Sequence, residues 1–488
     1  MRHSPLIILL LCMLMTNGVM AQNEEDVLRY SMPQIVGTAR YVGMAGAYGA
    51  IGADFASMST NPAGLGLYKK SEFTITPSLN FNNVESTYNG SVMDDSRNRF
   101  ALGNVGIVLT GAPANRLDRS PVVNYQAAFG LNRLKDFNQR IVIKGINNQS
   151  SLLDTYLDYA GNKNPRDLNS FDTRPAFDTY LIDTLIGAYP FSYVNAYSYL
   201  GGFTSALQQK SIENEGSMNE VVLSGGVNLN DRVYLGLTFG FPYFRYQRTT
   251  LYQEFNQTVD RDLDNFSVRE NLETKGSGFN IKFGAIVKAT PQLRLGAAFH
   301  TPTWFNNVTD KWNTVTRSAF TNGDAYSSQS PFGEFEYDIQ TPWRTSLSAA
   351  YLLGQVGLVS VDYEYVDYTT ARLRPSIDFS DKNEIISNSF DQTHNFRLGA
   401  EFNLGLMQVR GGYAYQMSPF KGDVNDGGVQ MVSGGLGYRN ADFFIDAALS
   451  YSFSDMTNYL YSSYNYSAAA DVKHSNYNFM VTFGFRFD

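Results

Sequence analysis

The chain has 488 residues, with 38 basic against 46 acidic side chains and a net charge of −8, a balance that excludes nucleic acid as a natural partner. Aromatic residues make up 14% of it, 32 Tyr and 34 Phe among them, yet beyond the first residues no run approaches the roughly 18 apolar residues of a spanning helix. The single cysteine excludes a disulfide framework and cysteine-bound metal.

Arg2, the apolar run Leu6 to Met15 and the small-residue end Val19-Met20-Ala21 predict a secretory signal peptide over residues 1–21. Cys12 lies inside that run behind Leu11, where lipoprotein processing needs a small residue, so the mature chain carries no thiol. A signal, abundant aromatics and no spanning helix place the protein in a Gram-negative outer membrane, in contact with outer-membrane lipid.

Residues 22–70 lack strand alternation. Gly37 to Gly52 is dense in Gly and Ala, which lets backbones pack closely and suits a plug inside a narrow lumen. Asn61-Pro62-Ala63-Gly64 then reads as a turn, in which Pro fixes φ and Gly relieves the next bend. An ordinary Gly-rich linker is the alternative.

Residues 71–488 alternate with period two. Segments of spanning length run from Phe73 to Phe81, Phe100 to Leu109, Val122 to Asn132, Asn219 to Leu229, Arg232 to Tyr246, Phe279 to Val287 and Leu293 to Thr303. They continue from Pro342 to Leu352, Leu358 to Tyr368, His394 to Leu404, Leu406 to Tyr415, Gly428 to Tyr438, Asp442 to Phe453 and Val472 to Phe487. Each is near the roughly 9 to 11 residues a tilted membrane strand needs, which makes an antiparallel barrel of about 14 strands. In the last segment Phe479, Val481, Phe483 and Phe485 face lipid, while Met480, Thr482 and Gly484 face the lumen. A soluble β-sandwich would alternate too, but with a polar outer face.

Tight links follow even-numbered strands, at Asn230-Asp231, Thr290 to Gln292, Leu353 to Val356, Gly405 and Asn440, and only Thr110 to Pro121 is long for a turn. Long links follow odd-numbered strands: Asn82 to Asn98, Arg133 to Met218, Leu251 to Gly276, Phe305 to Glu334, Ala371 to Gln392, Met417 to Gly427 and Ser454 to Asp471. Both barrel termini are therefore periplasmic. Residues 133–218 read as a large external insertion, partly helical over Ser150 to Tyr159 and Phe177 to Tyr189.

Alternation puts Glu72, Lys282, Arg294, His300, Arg344, Asp362, Glu364, Arg397, Glu401, Arg410, Asp442, Asp446 and Arg486 in the lumen. Most should pair across strands. Arg294, Arg344, Arg397 and Arg410 are the candidates to hold a ligand carboxylate, with aromatics lining the tail channel. His300, His394 and His474 are too far apart for metal-ligand spacing, and no nucleophile elbow or Walker lysine is present, so neither an enzyme nor a cofactor is expected.

The signal, the small-residue segment, Asn61-Pro62-Ala63-Gly64 and the fourteen-strand pattern that follows together resemble the FadL-type outer-membrane transporters of long-chain fatty acids and aromatic hydrocarbons. The resemblance covers the whole mature chain. It implies a monomeric barrel with an N-terminal hatch, matched here by Asn61, Pro62 and Ala63. It also implies passive uptake of a hydrophobic small molecule that is captured outside and passes when the hatch moves. Such barrels usually end in an aromatic residue, which the barrel assembly machinery reads; here Asp488 follows Phe487. A general porin or structural barrel is the alternative, distinguished by an open lumen. Haem capture, through the sparse histidines or loop tyrosines such as Tyr461 and Tyr464, is a third reading.

Overall fold

The computed structural model describes residues 24–488 except 114–119, 186, 188–189, 199–201, 259–261 and 423–424. The predicted signal peptide and half of the link from Thr110 to Pro121 lie outside the described residues. No helix among the described residues is long and apolar enough to cross a membrane.

The sheet closes on itself. Its fourteen antiparallel barrel strands begin with β1 (Ser71–Tyr88), β2 (Ser91–Gly111), β3 (Val122–Asp136), β4 (Ala206–Leu229), β5 (Val233–Asn256) and β6 (Leu263–Lys288). Next come β7, made of Leu293–His300 and Trp304–Phe320, and β8, made of Gly333–Gln340 and Arg344–Leu352. The circle continues with β9 (Gly357–Asp367), β10 (Gln392–Leu404), β11 (Met407–Gln416), β12 (Val429–Arg439), β13 (Phe443–Ser462) and β14 (Ser467–Phe487). β14 pairs back onto β1, with Phe73 opposite Phe485 and Ile75 opposite Phe483, so no spanning edge is left to lipid.

Facing follows the alternation. Leu79, Phe479 and Leu449 lie side by side on neighbouring strands, all pointing outward, as do Val361 and Leu398 farther round. In β14 Phe483 is 38% exposed and Thr482 is fully buried. β7 and β8 are each interrupted, at Thr301-Pro302-Thr303 and Thr341-Pro342-Trp343, because proline cannot donate to a ladder. The gap is stitched by Thr341 N–H donating to Thr303 O at 3.0 Å and Thr303 N–H to Thr341 Oγ1 at 2.8 Å.

Several expected loops are strand instead. β1 and β2 meet in a tight hairpin at Asn89-Gly90, both in the left-handed region, where a linker from Asn82 to Asn98 was expected. Likewise β5 and β6 run to Asn256 and from Leu263, and β13 and β14 to Ser462 and from Ser467. Beyond the membrane neither face needs an apolar stripe, so the sequence signal fades while backbone pairing continues. β4, β5 and β6, at 24, 24 and 26 residues, therefore stand well past a bilayer.

The region 133–218 is shorter as an insertion than its sequence suggests. β3 reaches Asp136, Gln139–Asn147 pairs with β4 over Ala206–Asn214, and only 148–205 leaves the wall. It carries α3 (Leu152–Ala160), α4 (Thr173–Asp178) and a small ribbon of Ile182–Thr184 with Tyr193–Asn195, so the helical spacing expected from Phe177 onward ends at once. Leu153, Tyr156, Leu181 and Tyr197 pack on Tyr88, Ile212, Tyr252, Phe266 and Leu460 of the extended wall, capping its mouth. Before the barrel come α1 (Glu24–Ser31) and α2 (Ala39–Gly43), inside the lumen.

Facing sets tolerance to charge. Phe479→Arg should cost about 2 to 4 kcal/mol at mid-membrane. Asn476→Arg, which faces luminal space, should assemble normally, and heat-modifiable gel mobility of the two variants checks this. Thr482 would be a poor luminal control, since it is packed against the N-terminal segment.

Candidate functional site

The N-terminal segment folds by capping itself. Thr38 caps α2, accepting from Tyr41 N–H at 3.2 Å and donating to Asp54 at 2.7 Å, and Asp54 in turn accepts from Ala56 N–H at 2.9 Å. Asn61 accepts from Ala63 N–H at 3.1 Å and donates to Gly49 O at 2.6 Å, while Pro62 starts a 3-10 turn over Pro62–Leu67. This turn rests on β4, β5 and β6 where the wall presents Gly226, Gly236 and Gly284; a Cβ on Gly236 or Gly284 would overlap Pro62 or Asn61. The Asn61-Pro62-Ala63-Gly64 sequence is thus the seat of the segment on the wall.

Polar contacts fix the rest. Arg40 of α2 forks onto Glu401 of β10 through two hydrogen bonds of 2.8 and 2.7 Å. Glu401 also accepts from Arg410 at 2.6 Å, and Arg410 from β11 reaches Asp446 of β13 at 2.6 Å. Asp362 accepts from the backbone N–H of Tyr48 and Gly49 at 2.9 and 2.8 Å. Thr482 accepts from Ala39 N–H, Ser433 from Ala45 N–H, and Arg294 donates to Ile51 O at 2.9 Å. His300 bonds Thr60 O at 2.7 Å. Between these bonds Ala39, Val42, Met44, Ala45 and Ala50 fill the barrel against Ala350, Ala414, Met431 and Ala448.

Two chambers lie above this plug, and Pro33 to Val36 line both. The smaller, about 110 Å³, is charged: Lys282 pairs with Glu220, and Glu364 lies 3.2 Å from Arg397 and 3.9 Å from Arg344. The larger, about 280 Å³, is lined by the polar side chains of Asn80, Asn476, Asn478 and Ser450 and by the apolar ones of Met32, Ile35, Met431 and Met456.

The four arginines expected to hold a headgroup fall at different levels. Arg344 and Arg397 line the charged chamber and share Glu364, and Arg344 also donates to Ser31 O. Arg294 and Arg410 are engaged with the plug or its anchor, as above. His394 faces outward against Tyr363. Arg40 and Lys135 escape the sequence reading, because the first precedes any alternation and the second follows the end of its expected strand. Glu220 does sit on the luminal parity of β4, so its signal is present.

A closed, lipid-faced barrel filled by its own N-terminal segment defines an outer-membrane β-barrel with a plugged lumen. No protein-family model and no curated protein matches the sequence. Among solved structures, a Pseudomonas aeruginosa FadL homologue is similar at 12% identity and a TM-score of 0.54, over 94% of this chain and 100% of that one. The toluene transporter TodX of P. putida gives 12%, 0.53, 94% and 99%. The Ralstonia pickettii toluene transporter TbuX gives 14%, 0.52, 93% and 99%. The chain has the fold of the FadL-type outer-membrane transporters.

The Arg40–Glu401 fork is the contact whose loss frees the plug with least harm to the wall, since Glu401 keeps Arg410. Breaking a buried pair costs about 3 to 5 kcal/mol. Arg40→Gln should therefore leave a folded barrel with frequent ion-conducting openings in planar bilayers, where the parent is quiet.

Proposed function

We propose that the protein carries hydrophobic small molecules passively across the outer membrane, long-chain fatty acids foremost, and that residues 22–70 form a hatch whose displacement lets the ligand through. The observation that carries this reading is a lumen blocked by an anchored plug with an amphiphilic chamber directly above it. A diffusion porin needs the opposite, a continuous water-filled bore. Fold likeness to two toluene transporters and a FadL homologue supports the same class. An aromatic hydrocarbon is the second reading, favoured by the engagement of all four arginines with protein partners.

In this reading the capped mouth over 148–205 faces outside and the tight turns face the periplasm. The chain works as a monomer delivered by the barrel assembly machinery, Asp488 notwithstanding. Ligand enters beside the cap, rests in the chambers and leaves once the plug shifts.

Deleting Gln34 to Asp54 removes most wall contacts of the plug but leaves the Asn61 seat. The variant should fold, conduct ions strongly and take up fatty acid without saturation. A folded deletion variant that conducts no more than the parent contradicts the hatch.

A further inference from the structure

The larger chamber is lined by a lysine that no carboxylate among the described residues pairs with. Lys135, near the end of β3, donates to Arg29 O at 3.0 Å and lies 6.0 Å from the Phe137 ring. An ammonium has three donors, and only this one bond uses them. Among the described residues no carboxylate pairs with it: Asp136 is taken by Arg133 at 3.0 Å, and Asp26 by Arg29. A charge withdrawn from water without a counter-ion is costly, and most other cations of the lumen are matched: Lys282 by Glu220, Arg344 and Arg397 by Glu364, Arg40 and Arg410 by Glu401 and Asp446, while Arg294 is spent on Ile51 O of the plug.

Backbone geometry aims this side chain. Residues of β3 with even numbers face inward as far as Asn132, and Lys135 would point out if the parity held. A bulge between Arg133 and Lys135 shifts the register and turns Lys135 into the chamber. Bulges re-aim single side chains in this way beside binding sites.

The same chamber holds further unspent hydrogen-bonding atoms. His474 Nδ1 meets the amide nitrogen of Gln139 at 2.6 Å, so it accepts, which leaves the hydrogen of a neutral ring on Nε2, an atom with no partner. Asn478, 6% exposed, also has an unpartnered side-chain oxygen. The thioethers of Met32, Met431 and Met456 line the same chamber and offer an adaptable apolar bed.

We propose that the larger chamber binds an amphiphile with a carboxylate head, that Lys135 holds the carboxylate with His474 Nε2–H as second donor, and that the acyl chain lies against the methionines. This rests on the uptake reading above and names the residue that selects an acid over a neutral ligand. Because Ile35 and Val36 of the plug also line this chamber, a bound acid touches the segment that must move.

The test compares palmitate, hexadecanol and toluene binding to the purified full chain, with Lys135→Met, Lys135→Gln and Lys135→Arg as variants and heat-modifiable mobility as the folding control. Losing a charge-assisted hydrogen bond should weaken palmitate binding roughly tenfold or more in the Met and Gln variants. Hexadecanol should change less than about twofold, as an uncharged head loses no charge assistance, and Lys135→Arg should restore palmitate. Equal palmitate affinity in folded parent and Met variant, or parallel loss of acid and alcohol, overturns the assignment. A parent that binds hexadecanol and toluene but palmitate no better also overturns it, leaving the uptake reading intact. A parent that binds none of the three removes both.

Discussion

A sheet in lipid can leave no backbone group unpaired, and most of this structure follows from that constraint. It forces β14 back onto β1, with Ser71 opposite Phe487 at one end and Thr87 opposite Asp471 at the other. Fourteen strands closed this way enclose more space than their own luminal side chains fill. Something else must occupy the bore, and the N-terminal segment does so. The small residues of that segment and the glycines of the wall, Gly236 and Gly284 above all, are two sides of one close approach.

How the plug is held bears on how it could move. Its contacts include hydrogen bonds and ion pairs as well as apolar packing, Arg40 to Glu401 and Asp362 to the Tyr48 and Gly49 amides among the polar ones. Water can replace such partners as the plug shifts, so the net loss is far below the gross strength of the bonds. The apolar seam mixes small and large side chains, Ala39, Ala45 and Ala50 beside Tyr41, Met44 and Tyr48, and Phe55 and Leu65 add a second patch on the wall. The charged anchor sets the position of the segment, and this packing adds to its hold.

Sequence reading recovers the wall well and its contents poorly. Period-two alternation places Phe479, Leu449 and Leu347 on lipid and Glu401, Arg410 and Asp446 inside, because one side of a membrane strand has no other solvent. It fails beyond the bilayer, where Ser91 to Arg99 is strand although both faces are largely polar, and where Leu263 to Lys275 continues the wall with Phe266 and Val268 turned inward under the cap. Partners of the luminal charges are not legible either. Arg40 comes from a segment without periodicity, and its pairing with Glu401 spans 361 positions. Lys135 reaches the chamber only through a bulge, which inverts the parity that alternation relies on.

The central claim is that ligand passes only when the plug leaves its seat. A reversible cross-link tests it directly, because a Cβ built on Gly43 lies 3.6 Å from Ala448 Cβ, within the range a disulfide spans. The sole native cysteine is Cys12, so in a Cys12→Ser background the pair Gly43→Cys and Ala448→Cys has no competing thiol. Uptake of labelled palmitate by cells carrying this variant should stop on oxidation and return on reduction. Undiminished uptake with the cross-link fully formed would contradict the account.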